Sequence, residues 1–256
     1  MLGDDPGALA RMYLSLSLWF RGETREAFQC CADGTAAAQD CGHQYTLGQA
    51  NFDAAWLHAL ARQHEGAQSH AERAIALCSN GKDEFRLYLG CASVISGWIS
   101  AMRGNVGEGI NSMRQAMPLI EQTDAGICLS CFLPWLAEGL WRAGEVEEGL
   151  KVIERAHNLA SERFYDAERL RIEGELRSGL DPAGARRCFD NALKISSRAG
   201  MKSIELRAGL ALYDFERGRG QRVDPQELFG HLSPWICGEM EGEETRRAKL
   251  LLRHTD

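Results

Sequence analysis

The 256-residue sequence has no apolar run long enough to cross a membrane, and its start lacks the positive charge of a secretory signal peptide. The longest uncharged stretch, Leu87 to Met102, has 16 residues, whereas a membrane-spanning helix needs roughly 20. The first residues, Met1 to Pro6, contain two aspartates and no basic side chain. These absences predict a cytoplasmic protein that does not contact membranes and whose nine cysteines are reduced thiols.

A phosphate-binding loop is also missing. The segment Ser79 to Lys82 ends in Gly-Lys, but Asp83 follows instead of Ser or Thr, and the earlier glycine of such a loop is absent. The segment therefore predicts a turn at a helix end. The net charge of −7 makes nucleic acid an improbable partner, because nucleic-acid-binding domains carry a basic surface.

Metal-ligand spacing is absent as well. Cys128 and Cys131 form a C-x-x-C, but no second pair of ligands accompanies them, and the context for a redox motif is missing. The histidines His58, His64 and His70 are six residues apart, not four, which places them on different faces of a single helix. We therefore expect no catalytic residue, no cofactor and no metal.

The sequence does contain a periodic pattern of small residues. A small residue is followed by another five positions later and a third seven positions after that, and the set recurs every 36–44 residues. Only Leu180 breaks the rule in the five sets, which are Gly22/Ala27/Gly34, Gly66/Ala71/Cys78, Gly104/Gly109/Ala116, Gly144/Gly149/Ala156 and Leu180/Ala185/Ala192. A period of this length is typical of helical repeat arrays, which stack helix hairpins and present a surface instead of one catalytic core.

Each set predicts a pair of antiparallel helices. The leading glycine marks the turn, because glycine tolerates the left-handed backbone at a helix end, and in the second set the predicted turn is Glu65-Gly66. Small residues seven positions before four of these glycines lie on the same helix face and allow close approach: Ser15, Ala59, Gly97 and Ala137.

The pattern resembles the tetratricopeptide repeat, with longer units. The expected fold is all-α, a tetratricopeptide-like right-handed superhelical solenoid of antiparallel helix pairs in a single domain, residues 1–256. Pro134 predicts a kink or a late start in the first helix of the fourth pair. The predicted pairs cover about 8–38, 45–79, 84–121, 126–160, 166–198 and 203–231, and a last helix covers about 241–252.

The C-terminal part has a more specific resemblance. Segments Glu162–Leu176, Cys188–Ile195 and Lys202–Ala208 resemble the tetratricopeptide-like tails of bacterial class III adenylate/guanylate cyclase-associated predicted ATPases, most strongly from about 162 to 250. The usual Trp-Phe-Thr-Glu-Gly-Phe-Asp-Thr ending of that group is represented only by Pro234–Glu239. The resemblance implies a C-terminal sensor or interaction arm, and the ATPase and cyclase cores of the family are absent from this chain.

A partner-binding groove is predicted on the first helices of the pairs, which line the concave surface in this architecture. Three tryptophans occupy positions that face the groove in tetratricopeptide units, although packing in the core is the alternative for each, and nearby charged residues would bound it. The predicted groove residues are Trp56, Trp98, Trp141, Glu138, Arg142 and Arg171.

The leading functional hypothesis is a non-catalytic module that binds a protein, a peptide or a small effector, or an attached ATPase or cyclase region. A structural oligomerisation scaffold and an enzyme with an unrecognised site are the alternatives. The basic run Arg217–Arg222 is either a solvated loop or a contact for an acidic partner.

Overall fold

The computed structural model describes residues 5–80, 85–123, 125–159, 162–238 and 242–253. Within these ranges the regular elements are helices, and no strand occurs. Of the turn predicted at Ser79 to Lys82, Ser79 and Asn80 form a turn directly after a helix that ends at Cys78, and residues 81 and 82 lie outside the described residues. None of the described helices has the length and apolar character that a bilayer span requires.

A short 3-10 turn, Gly230–Leu232, lies near the C-terminus, and the other elements are α-helices. In chain order they are α1 (Pro6–Arg21), α2 (Thr24–Cys41), α3 (Gln44–Leu60), α4 (His64–Cys78), α5 (Arg86–Met102), α6 (Val106–Glu121), α7 (Gly126–Ala143), α8 (Val146–Leu159), α9 (Asp166–Arg177), α10 (Pro182–Arg198), α11 (Lys202–Gly218), α12 (Pro225–Phe229), α13 (Ser233–Gly238) and α14 (Glu243–Arg253).

The all-α, tetratricopeptide-like arrangement is confirmed. Helices α3 and α4, α5 and α6, α7 and α8, and α9 and α10 pack as successive pairs. First helices also pack on first helices, α3 on α5, α5 on α7 and α9 on α11. Each helix therefore buries its apolar face against its pair partner and against a neighbouring pair, as a repeat array requires.

Two local expectations differ from the structure. The second helix of the sixth pair is not continuous to residue 231 but is divided into α12, the 3-10 turn and α13. Helix α7 runs from Gly126 to Ala143 with Pro134 inside it, so a late helix start at Pro134 is wrong. The last predicted helix is present as α14.

The chain packs as two compact units. The first unit comprises Met1–Ser17 and Glu26–Ser161, and the second comprises Leu18–Arg25 and Glu162–Asp256. The second unit thus includes the turn between α1 and α2. In it, Ser203 Oγ donates to Trp19 O at 2.9 Å and Trp235 Nε1 donates to Gly22 O at 2.7 Å.

The core of the second unit lies where the C-terminal helices cover α11. A cluster of apolar side chains from α11 through α14 is buried there, namely Leu206, Leu210, Phe229, Leu232, Ile236, Ala248 and Leu252. This packing replaces the regular second helix that the sixth pair lacks, so α11 is covered by three short elements and α14.

The register of the second pair is shifted by four residues from the predicted one. Helix α4 already begins at His64, so the predicted turn at Glu65-Gly66 is wrong. The turn residue is Arg62, whose φ of 57° lies in the left-handed region, as do Gly22 and Gly104 in their own turns. The repeat positions five and twelve residues later are then Ala67 and Ala74, both 0 % exposed.

A four-residue shift is about one helical turn, which explains why the wrong register still matched small residues. Ala71 and Cys78 lie on the same face of α4 as Ala67 and Ala74 and are also buried. Gly66 has a different role from that of a turn glycine. A Cβ atom at this position would overlap the His58 ring, so glycine allows α4 to lie close to α3.

Close helix approach at small residues is confirmed in the third pair. A Cβ atom added to Gly97 would lie 2.9 Å from Gly109 O, closer than packed atoms allow. Ser15, Ala59 and Ala137, the other predicted contact positions on first helices, are 0–1 % exposed. The space between paired helices at these points is therefore too narrow for a larger side chain.

We predict that Ala116→Leu and Ala156→Leu each lower the free energy of unfolding by about 1–3 kcal/mol, because overpacking forces helices apart. Ala116 is 3 % exposed and Ala156 is 0 % exposed. Urea unfolding followed by circular dichroism measures the effect. Gln115→Leu and Asn158→Leu, on the exposed faces of the same helices, are the controls. Equal midpoints for core and control variants would contradict the assigned register.

Candidate functional site

The six predicted groove residues are distributed over four first helices. Trp56 is on α3, Trp98 is on α5, and Glu138, Trp141 and Arg142 are on α7, all within the first unit. Arg171 is on α9 and belongs to the second unit.

Trp98 and Glu138 meet in the core of the first unit. Trp98 Nε1 donates to Glu138 Oε2 at 2.7 Å, and Trp98 is 1 % exposed and Glu138 5 % exposed. Arg62, which the sequence analysis did not select, completes the cluster. Its Nη2 donates to Glu138 Oε1 at 3.0 Å, and its guanidinium carbon lies 4.8 Å from the centre of the Trp98 ring.

The cluster formed by Arg62, Trp98 and Glu138 links three first-helix positions that are 36 and 40 residues apart in sequence. The carboxylate neutralises the guanidinium and accepts the indole N–H, so a buried charge is both paired and hydrogen-bonded. Arg62 keeps this contact in spite of a left-handed backbone that costs a side chain with a Cβ about 1–2 kcal/mol. The sequence does not reveal the positive φ of Arg62, because the residue expected at such a turn position is glycine, as found in other pairs.

Aromatic rings continue from this cluster between α3, α5 and α7. Trp135 lies 4.7 Å from Trp98 and 5.6 Å from Phe132, measured between ring centres. Phe132 in turn lies 5.3 Å from Trp56 and 6.0 Å from Phe52 on α3. Rings of α3 and α7 therefore touch directly, with Phe132 fully buried and Trp56 half-buried.

Trp141 and Arg142 lie at the end of α7 and remain accessible. Trp141 is half-buried, Arg142 is exposed, and the Arg142 guanidinium carbon lies 5.8 Å from the centre of the Trp141 ring. At this distance the cation interacts with the face of the ring. Among the predicted groove residues of the first unit, these two present an aromatic face and a charge to solvent.

Arg171 is engaged in a charged network in the second unit. It is 4 % exposed, and its Nη2 and Nε donate to the two oxygens of Glu168 at 2.8 and 3.0 Å. Arg207 joins the network through Glu168 and Glu244. Burial acts to lower the pKa of Arg207, but the carboxylates of Glu244 and Glu168 outweigh it and raise the pKa. The pairing thus favours the charged form of Arg207 and satisfies the guanidinium of Arg171 with carboxylate acceptors.

A chain of polar side chains crosses the first unit between α1, α3 and α5. Tyr88 donates its hydroxyl to Gln49 Oε1 at 2.8 Å, and Gln49 Nε2 donates to the Tyr13 hydroxyl at 2.8 Å. Asp53, one turn further along α3, is 2 % exposed, and its Oδ2 has no hydrogen-bond partner. Burial raises the pKa of the Asp53 carboxyl well above its usual range, which favours the neutral acid.

His58 and His70 form a pair of titratable side chains in the first unit. They lie on α3 and α4, on either side of the turn, and their rings stack with centres 5.3 Å apart. His70 Nδ1 hydrogen-bonds Asn51 Oδ1 at 3.1 Å. Burial lowers the pKa of both rings, and with the added influence of His58 and Arg73 that of His70 falls to about 4.

Five cysteines are buried as packed thiols, namely Cys31, Cys78, Cys91, Cys131 and Cys188. Burial raises the pKa of Cys31 to about 12 and those of Cys78 and Cys188 to about 11, which disfavours the nucleophilic thiolate. Cys131 of the C-x-x-C segment is 0 % exposed. Within the described part of the chain, no group of three or more His, Cys, Asp or Glu side chains is arranged to hold a metal ion.

Comparison with models of known protein families and with curated proteins finds no match for this chain.

We predict that Arg62→Gly is more stable than Arg62→Ala by about 1 kcal/mol, because both lose the contacts with Glu138 and Trp98 but only alanine retains the strain of a positive φ. Urea unfolding of the two variants provides the measurement. The same pair of substitutions at Ser69, an exposed position inside α4, is the control and should favour alanine by about 0.5–1 kcal/mol. Equal stability of the two Arg62 variants would contradict the left-handed turn.

We predict that the free energy of unfolding falls as pH is lowered from about 6.5 to about 4. The unfolded histidines take up protons in this window, whereas the native His58–His70 pair excludes them, so acid favours unfolding. Arg73 faces the pair with a positive charge, and Asn51, Gln63 and Phe28 supply its uncharged neighbours.

Urea unfolding at a series of pH values tests this expectation. His70→Gln should reduce the pH dependence of the free energy of unfolding in this window. His157→Gln, which lies outside the pair, should leave that dependence unchanged. An unchanged slope in His70→Gln would exclude the pair as its source.

Proposed function

We propose that this chain is a non-catalytic repeat module that binds a protein or peptide partner, or a small effector, through the first-helix surface of the first unit. The packing of α3, α5 and α7 on one another supports a continuous surface of first helices. Repeat arrays use such surfaces for recognition, because each added pair extends the area available to a ligand.

The observation that carries this proposal is the exposed pair of Trp141 and Arg142. A half-buried indole beside an exposed guanidinium offers a rigid apolar face together with a charge. Tryptophan and arginine are the side chains most enriched among binding hot spots. Trp98 and Glu138 instead satisfy each other in the core, so they support the shape of the surface and do not form part of it.

The ionisation of the buried side chains supports a non-catalytic role. Burial raises the pKa of Cys31 and Cys78, which disfavours the nucleophilic thiolate. The environment of a catalytic nucleophile or base shifts the pKa in the direction that activates it.

The proposed biological setting is an interaction arm that acts with a signalling ATPase or a class III cyclase. Its support is the sequence resemblance of residues 162–176, 188–195 and 202–208. To regulate such an enzyme, the arm must bind two states of the enzyme with different affinity, since equal affinity shifts no equilibrium.

Self-association is a second candidate function, favoured by two adjacent apolar side chains on α1. Tyr13 is 56 % exposed and Leu14 is 51 % exposed. Sedimentation of the purified chain separates the two candidate functions, because a scaffold forms a defined oligomer without any ligand. The double substitution Tyr13→Ser and Leu14→Ser should convert such an oligomer to monomers.

The binding proposal is tested by selecting peptides against the purified chain from a random display library and measuring their dissociation constants by fluorescence anisotropy. Trp141→Ala and Arg142→Gln should each lower the affinity for the selected peptides about tenfold, a loss typical of hot spots. Arg246→Gln, which removes an exposed arginine from α14, is the control.

Affinities that change in neither variant would remove the end of α7 as the binding surface. ATP or GTP turnover by the purified chain, abolished by a point substitution within it, would contradict the non-catalytic role.

A further inference from the structure

A cleft of about 600 Å³ lies in the second unit, between the start of α10, the end of α11 and the segment that leads into α12. Its volume is within the range of small-molecule sites, roughly 300–1,000 Å³. The lining residues include three arginines and two glutamates, and three apolar side chains, Leu212, Val223 and Leu228. Two of the arginines, Arg219 and Arg222, belong to the basic run that the sequence analysis singled out.

Glu216 holds two of the arginines at the cleft. It is 7 % exposed, and Arg186 Nη1 contacts its Oε1 at 2.7 Å, while Arg219 Nη1 lies 3.8 Å from its Oε2. The Arg219 guanidinium carbon also lies 5.2 Å from the centre of the Phe215 ring. Glu216 is therefore occupied by protein cations, and both guanidinium groups have restricted positions.

Arg222 differs from these two arginines. It is exposed, lines the cleft and makes no ion pair with any described residue. Arg186 and Arg219 are about half exposed, with 48 and 45 % of their side chains accessible, and can make further contacts. The opposing charge that remains in the lining is Glu227, so the lining has a net charge of +1 in a chain of net charge −7.

We infer that this cleft binds a small molecule that carries an oxyanion, a phosphate or a carboxylate, on an apolar body. Arg222 and Arg219 pair with the oxyanion, because a guanidinium presents several parallel N–H donors to such a group. Val223 and Leu228, which are half-buried in the lining, contact the apolar body. This site is independent of the proposed function, since the cleft residues belong to the second unit and Trp141 and Arg142 belong to the first.

The experiment titrates the full chain with phenyl phosphate and with benzoate by isothermal titration calorimetry at low ionic strength, and uses benzyl alcohol as the neutral counterpart. At least one of the two anions should bind, with an affinity that falls as salt is added, and benzyl alcohol should bind at least tenfold more weakly. The stronger of the two anions identifies phosphate or carboxylate as the preferred group.

Variants locate the site. Arg222→Gln should lower the affinity for the bound anion about tenfold, as expected for the loss of a charge-assisted hydrogen bond. Glu227→Gln should raise this affinity, because it removes the opposing charge. Arg217→Gln is the matched control, because Arg217 belongs to the same basic run and is exposed but does not line the cleft. It should leave the affinity unchanged.

The inference is overturned if neither anion binds at concentrations up to about 10 mM, which corresponds to a binding free energy weaker than about −3 kcal/mol. It is equally overturned if Arg222→Gln and Arg217→Gln have the same effect, or if benzyl alcohol binds as well as the anions. Thermal unfolding of each variant verifies that the fold is retained.

Discussion

The fold depends on helices that approach each other closely at small side chains. At Gly97 and Gly109 the paired helices leave no room for a Cβ atom, and at Ala116 and Ala156 the remaining space is filled by one methyl group. Such contacts allow larger neighbouring side chains to interdigitate, which gives each hairpin its stability and its register. Because α3, α5 and α7 of the first unit also pack on one another, aromatic and charged clusters form where these first helices meet.

One consequence is that side chains with an apparent binding pattern become structural. Trp98 and Glu138 belong to different pairs, yet the stacking of α5 on α7 brings them within hydrogen-bond distance, and Arg62 closes the cluster. Removing one partner would leave a buried charge or donor unsatisfied, which costs more than the pair itself contributes. Trp141 and Arg142, in contrast, lie at the end of α7 and remain accessible.

The two units use buried polar groups in different ways. In the second unit, Arg171 and Arg207 are paired with carboxylates, so burial is compensated by charge. In the first unit, burial shifts the pKa values of three side chains, Asp53, His58 and His70, toward their neutral forms. The neutral forms avoid the free-energy cost of burying a charge. Acid therefore works against the burial of His58 and His70 in the first unit, because protonation would charge both rings.

The sequence by itself determined the helical class, the order of the pairs and most of the close contacts, because small-residue spacing and helix periodicity are local properties that survive in any context. It could not determine the register of the second pair. A shift of the assignment by one helical turn keeps small residues on the same helix face. In addition, a glycine such as Gly66 can allow two helices to approach closely without forming a turn. Only the tertiary structure decided that Arg62 takes the left-handed turn, that Trp98 is buried and that Arg219 and Arg222 line a cleft. Each of these depends on which distant helix packs against the residue, and that information is not contained in local spacing.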